Sequence, residues 1–290
     1  MIRTGQLPDS HLFSHEAMNT TFHLRIVADR EPVARGMARE CFDHVDYLET
    51  RLSRFLDGSD ISRVNHMQAG ETLYLSEAGH ACLLLALHVH ARTRGLFDIT
   101  IGTRIAHRKA GDNTPAPPLA GNLIIHPDAP AITCESPGRE IDLGGIGKGF
   151  ALDQMMALLI DWGADGALLS AGASTLLCFG GQAWPVDLSG DSGSQRISLT
   201  NRALSASGTG ILGSHIVHPL DVARTEKYLG KRVWVVAPAA ALSDAWSTAV
   251  MLMDRRDVME ILSGEDDILA VYAETGGNVE CISSTPCDPA

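Results

Sequence analysis

The apolar positions along the chain change period several times, and each change predicts an element. Thr21–Ala28 (TFHLRIVA) alternates and is rich in β-branched and aromatic residues, which predicts a strand. Pro32 suits a first helical turn. From Val33 to Leu52, Met37, Cys41, Val45, Leu48 and Leu52 fall at helical spacing. Ser53–Asn65 (SRFLDGSDISRVN) carries Asp-Gly and Ser-Asp turn chemistry and reads as a loop. Leu73–Leu75 predicts a short strand. Ser76 is a good N-cap for a helix over Ala78–Thr93, and Gly95 lies just past its end. Arg104–Gly121 is rich in Pro, Gly and Ala and predicts a long loop, a length that often marks a lid or binding loop.

Short strands are expected at Leu123–His126, Ala131–Cys134 and Glu140–Leu143. A glycine turn follows, then a helix through about Trp162. A β-rich stretch comes next, with Gly166–Leu169, Ser174–Phe179, Trp184–Leu188, Arg196–Thr200 and Ala203–Ser207. A second glycine-rich segment, Gly208–Gly213, leads into Ser-His-Ile-Val-His-Pro. Arg232–Ala237 (RVWVVA) is a buried strand by its continuous apolar run. Helices are expected at Leu242–Met253 and Arg256–Leu262, and strands at Ile268–Tyr272 and Val279–Ile282. Strands and helices do not alternate strictly. That order argues for an α+β (α/β) fold, with helices packed on a mostly antiparallel sheet. No linker interrupts the pattern, so residues 18–282 are expected as one domain, with loose termini at 1–17 and 283–290. Any seam would lie in the 104–121 loop.

Composition narrows the partners. The 35 acidic side chains outnumber the 23 Lys and Arg, for a net charge of −12. That disfavours nucleic acid or an anionic membrane as the main partner. It still permits a small anionic ligand, since a divalent cation can reverse the sign locally. Six cysteines, at 41, 82, 134, 178, 281 and 287, form no C-x-x-C and no zinc-finger spacing, and are expected as free thiols in a reducing compartment. The N-terminal residues lack an apolar signal-peptide core and a lipidation cysteine, and no apolar run reaches the length of a membrane span. A cytoplasmic location is expected.

The chain is organised around Ile141–Asp153, IDLGGIGKGFALD. An apolar run carrying Asp142 turns through Gly144, Gly145, Gly147 and Gly149 into a helix. Glycines allow close backbone approach, and unpaired N–H groups at a helix start face an anion, so the turn suits a phosphate. The same residues equally suit a tightly packed structural turn. The spacing is neither the dinucleotide fingerprint nor the Walker pattern.

Three further stretches carry candidate chemistry. In Ser243-Asp-Ala-Trp-Ser-Thr248, Asp244 and Thr248 are four apart and share one helix face, with Ser247 on the same turn. Two oxygen ligands so placed suit Mg²⁺, but from these residues alone a cap of the helix by Ser243 or Asp244 is the preferred reading. His215 and His218 stand beside the second glycine segment and, in an extended segment, point to opposite faces, so one of them can serve a given site. Met18, Phe97 and Asp98 could line an apolar slot or be ordinary core and loop residues.

Taken in order, Met18…Thr20, LSRF…Asn65, GLFDITIG, IDLGGIGKGFALD, SASG, HIVHP and SDAWSTAV resemble the ApbE family of FAD:protein FMN transferases, from about Met18 to Tyr272. The resemblance implies an α/β fold with a subdomain like the tunnelling fold. It implies Mg²⁺ ligands at Asp244 and Thr248, with Ser247 at an occasional ligand position and the Gly147 carbonyl completing the set. It implies FAD contacts at Met18, Phe55, Leu96, Phe97, Asp98, Gly144, Phe150 and Ile216. It places His215 beside the reacting phosphate. The implied reaction moves FMN from FAD to a Thr or Ser hydroxyl of an acceptor protein and releases AMP. With water as acceptor it becomes FAD hydrolysis, and a divergent member could simply bind FAD. The sequence departs from the family pattern at His218, which replaces an Asp, at Asn19, which replaces a Gly, in a shortened Thr209–Ser214, and in LDVART, which lacks the usual Thr-Gly.

Overall fold

A computed structural model describes residues 2–4, 10–111, 114–209, 216–219 and 229–282. The chain begins with β1 (Ile2–Thr4), β2 (Ser10–Ala17) and β3 (Thr20–Val27), then α1 (Glu31–Leu52), α2 (Asp60–Asn65), β4 (Thr72–Tyr74), α3 (Glu77–Arg92) and α4 (Gly102–Lys109). It continues through β5 (Asn122–Ile125), β6 (Ala131–Ser136), α5 (Gly147–Asp161), β7 (Gly166–Ala171), β8 (Thr175–Gly180), β9 (Trp184–Ser189), β10 (Ser194–Leu199) and β11 (Ala203–Gly208). It closes with β12 (Arg232–Ala237), α6 (Ala240–Met251), α7 (Arg255–Gly264), β13 (Ala270–Thr275) and β14 (Asn278–Ile282).

Among the described residues the main sheet has the order β14-β13-β12-β11-β8-β7-β3-β2, with antiparallel neighbours throughout. Both of its faces are covered, which explains the unbroken apolar run of β12. Val233 and Val235 point into the core under the helices, while Trp234 and Val236 pack with Trp184, Val186 and Leu199 of the small β1-β9-β10 sheet. On the helix side, α5 packs against α6, β7 and β8, and α6 against β11 and β12. Every residue of α6 except Leu242 and Thr248 is buried. A helix buried on nearly all sides belongs inside a fold, and its polar residues Ser243, Asp244 and Ser247 must find partners there. No helix of the described residues is long and apolar enough to cross a membrane.

Several elements differ from expectation for local reasons. Ser10–Ala17, expected within a loose terminus, is β2, paired along its length with β3 as the sheet edge. Its half-exposed residues hide the strand pattern. Ser59 is an N-cap and not a turn residue: its side chain accepts from Ser62 N–H and starts α2 inside the expected 53–65 loop. The 104–121 segment opens in α4, whose polar sequence GTRIAHRK masks the helix. The strand expected at Glu140–Leu143 is reduced to a single parallel bridge between Ile101 and Glu140. Cys41, Cys82, Cys134 and Cys178 are free and buried, but Cys281 is disulfide-bonded, correcting the expectation of free thiols throughout.

Candidate functional site

Two helix starts meet on the helix-covered face of the main sheet. The glycine bend Gly144–Gly147 leads into α5, and the Ala239 turn leads into α6. At Gly149 the two backbones touch: a Cβ added there would lie 2.2 Å from the Ala240 carbonyl oxygen. Only glycine fits that approach. A Cβ on Gly145 would meet the Phe97 ring at 3.2 Å and Thr248 Oγ1 at 3.3 Å. The bend, the Phe97 corner and the α6 face therefore share one small space.

Asp244 is the fifth residue of α6, so neither it nor Ser243 caps that helix, whose N-cap is Ala239. Asp244 is buried, with the whole residue 5% exposed. Its Oδ2 accepts from Gly149 N–H at 3.3 Å and from the Lys148 ammonium at 3.4 Å, and its Oδ1 from Thr175 Oγ1 at 3.4 Å. Lys148 Nζ also donates to the Gly144 carbonyl at 3.2 Å. A carboxylate of α6 and a carbonyl of the bend thus converge on one cation. Thr248 Oγ1 leans on the Asp244 carbonyl at 3.5 Å and faces Gly145. The Ser247 hydroxyl turns the other way. It donates to the Asp244 carbonyl at 2.9 Å and bonds Ser207 Oγ at 2.8 Å, while Ser243 bonds Ser205 Oγ at 2.7 Å. Ser205 and Ser207 lie on one face of β11, and Ser243 and Ser247 on one face of α6, so strand and helix periods match.

The remaining residues named from the sequence surround this centre. Met18 and Asn19 have φ of 50° and 57° and form the two-residue turn between β2 and β3. Beside that hairpin, Gly172 of the β7–β8 turn donates its N–H to the Thr21 carbonyl at 2.9 Å. Thr175 at the start of β8 carries the contact onward to Asp244. Phe97 is buried, and its carbonyl accepts from His90 Nδ1 at 2.8 Å. Asp98 Oδ1 accepts from the N–H and hydroxyl of Thr100, both at 2.7 Å, and Arg139 lies 3.6 Å from its Oδ2. Asp98, Thr100, Arg139 and His90 line a cavity of about 190 Å³. Leu96 is partly buried against the core, Phe150 and Ile216 are buried, and Gly144 is exposed. Phe55 is 82% exposed, under the Arg54 guanidinium at 5.7 Å from the ring centroid. His215 lies outside the described residues. Just beyond it, the Pro219 carbonyl accepts from Arg104 Nη1 at 3.0 Å.

Sequence reasoning gave no role to several residues that build the site. Arg54 ties the Phe55 loop to the bend through Asp142 (3.0 Å) and Glu140 (2.5 Å). Asp142 in turn accepts from Gly144 N–H at 2.8 Å. Asn65 brackets Ile141, donating to its carbonyl and accepting from its N–H. Asp153 accepts from Ala240 N–H at 2.7 Å and Ala241 N–H at 2.8 Å. Burial pushes the Asp153 carboxyl up to about 6, against those two amides, and Asp244 adds to the rise. Lys148 and Asp153 stand inside the quoted motif, and the signal for them was their place there. Among the described residues no group of three or more His, Cys, Asp and Glu forms a metal site. The set at hand is a carboxylate, hydroxyls and main-chain carbonyls, the hard oxygens that Mg²⁺ takes together with water and phosphate. The Lys148 ammonium marks where positive charge is accepted, so the residues present fit such an ion.

Comparison with known proteins bears on the family and the fold. The family described as "ApbE family" matches residues 18–273. The chain is 23% identical to the FAD:protein FMN transferase of Salmonella typhimurium over 93% of this chain and 85% of that one. It is 24% identical to the FAD:protein FMN transferase of Klebsiella pneumoniae, over 89% and 82%. The flavin transferase ApbE of Vibrio cholerae has the same fold, with a TM-score of 0.80, 19% identity and coverage of 95% of this chain and 97% of that one. Pseudomonas stutzeri flavinyl transferase ApbE superposes with a TM-score of 0.79 at 19% identity, covering 94% and 93%.

Proposed function

The chain belongs to the ApbE family, and on that premise we propose that it moves FMN from FAD to a Thr or Ser hydroxyl of an acceptor protein, with Mg²⁺ bound and AMP released. The observation that carries this reading is the meeting of Asp244 and the Gly144 carbonyl on one ammonium, beside Thr248 and the Phe97 ring. Family members named FAD:protein FMN transferase along nearly the full chain support the reaction class.

Asp244, Thr248 and the Gly147 carbonyl would hold the ion, and Ser247 would hold the α6 face against β11. Bound there, Mg²⁺ would supply positive charge that favours departure of AMP. The chain's own part is to place the phosphates over the start of α5, where N–H groups and the helix dipole favour negative charge. Lys148 stands at the same spot and can follow that charge. Phe97, Leu96, Asp98, Met18, Gly144, Phe150, Ile216 and the exposed Phe55 would hold the flavin nucleotide, a role the family pattern assigns them. His215, in the same pattern, takes the proton of the attacking hydroxyl, and an in-line displacement at phosphorus follows.

The test is incubation with FAD, Mg²⁺ and a flavin-acceptor domain. A gain of FMN mass on the acceptor that Asp244→Ala abolishes is the expected result. AMP formed without acceptor labelling would mean FAD hydrolysis, and retained FAD without turnover would mean a flavin-binding protein.

A further inference from the structure

The two helix starts are capped by each other. The N-cap of α6 is Ala239, which offers no side-chain acceptor, so the first amides of the helix depend on an outside group. Asp153, two turns into α5, supplies it: one carboxylate oxygen takes Ala240 N–H and the other takes Ala241 N–H. In the opposite direction, α5 starts at Ile146 without a side-chain cap, and Asp244 of α6 takes the Gly149 N–H. Between these bonds the Gly149 backbone presses on the Ala240 carbonyl.

The two carboxylates differ in what they are free to do. On the reading above, a cation would draw on Asp244 and weaken its bond to Gly149. The Asp153 link touches no proposed ligand and would persist. We infer that Asp153 is a positioning residue: it fixes where α6 starts relative to α5, and so where Asp244 and Thr248 stand over the glycine bend. The inference rests on the function proposed above. A carboxyl raised by burial and by Asp244 is a costly way to cap a helix, since a serine at Ala239 could do so locally. What the local cap would not provide is the tie between helices.

The experiment exploits that difference. Wild type, Asp153→Asn and the double variant Asp153→Asn/Ala239→Ser are compared in two ways. One is the Mg²⁺ titration of FMN transfer, with the Mg²⁺-induced rise in Tm of the FAD-loaded protein as a readout independent of turnover. The other is hydrogen exchange of the Ala240 and Ala241 amides. Asp153→Asn is expected to raise half-saturating Mg²⁺ by about tenfold or more, as loss of a residue supporting a metal ligand does, and to speed exchange at both amides. The double variant should restore slow exchange at Ala241, the amide an N-cap serine can reach, and fold stability, but leave the Mg²⁺ midpoint high. Recovery of the midpoint by Ala239→Ser, or an unchanged midpoint in Asp153→Asn, would make Asp153 a helix cap only and overturn the inference. A wild type whose transfer and Tm ignore Mg²⁺ would instead overturn the functional reading beneath it.

Discussion

The Lys148 ammonium stands 3.4 Å from Asp244 Oδ2, and by also reaching the Gly144 carbonyl it spans the gap between the glycine bend and α6. Both side chains are largely buried, at 24% and 7% exposure. The carboxylate that a cation would need already has a counter-ion on the chain.

Replacing Lys148 by Met should therefore tighten Mg²⁺ binding. The ammonium and the divalent ion compete for one carboxylate. A pair of this exposure is worth about 1 kcal/mol, so half-saturating Mg²⁺ should fall about fivefold. Titrating the Mg²⁺-dependent rise in Tm without FAD, where the ammonium has no phosphate to follow, checks this. A higher midpoint in Lys148→Met would show that the lysine helps to hold the ion and does not stand in for it.

How much of this was legible in the sequence depends on where each residue's partners lie. Asp244 and Thr248 could be paired because helical spacing is local. The continuous apolar run of β12 foretold a strand covered on both faces. Asp153 could not be read in the same way. Its partners are amides 87 and 88 positions away, and alone it looks like any acid on a helix. Arg54 hides for the same reason, its acidic partners lying 86 and 88 positions on. β2 was missed because an edge strand carries half-exposed residues, and α4 because a polar helix lacks an apolar stripe.

The two central glycines should fail in different ways. A Cβ at Gly149 runs into the Ala240 carbonyl at 2.2 Å, and only separation of α5 from α6 relieves that clash. Gly149→Ala should cost upwards of about 3 kcal/mol, at or beyond the top of the usual overpacking range. A Cβ at Gly145 meets a ring edge and a hydroxyl at 3.2 and 3.3 Å, which small shifts accommodate. Gly145→Ala should keep the fold within about 1 kcal/mol and lose most transfer activity, because it fills the space shared by Phe97 and Thr248. Urea unfolding and the transfer assay together separate the two. Equal stability losses would place both glycines in the same structural role.

Asp153 gives stability a pH dependence of unusual sign for an acid. Its folded-state value, about 6, lies above the ordinary 3.8. Its contribution is therefore fully present below the ordinary value and is lost as pH rises through about 6. The difference in unfolding free energy between wild type and Asp153→Asn should move toward wild type by about 2 kcal/mol on going from about pH 7.5 to about pH 4.5. Urea unfolding of both proteins at the two pH values measures it. A move toward the variant on acidification would mean that the paired amides outweigh burial.

Arg54 should matter to both stability and flavin binding, because one guanidinium serves several partners. It holds Asp142 at 3.0 Å, Glu140 at 2.5 Å and the Gly102 carbonyl at 3.2 Å, and it lies over the Phe55 ring. Asp142 is 10% exposed and passes the tie to Gly144, so Arg54→Ala leaves a carboxylate stranded beside the bend. Breaking such a pair costs about 3 kcal/mol, the low end of the range, because Glu140 still reaches water. Lysine at this position should recover only part of that, since a single ammonium cannot reproduce the planar fork. FAD affinity, read by quenching of flavin fluorescence, should fall in step, because Phe55 loses the group that orients it. If Arg54→Ala unfolds at the wild-type urea midpoint while FAD affinity falls, the fork acts on the flavin alone and the bend stands without it.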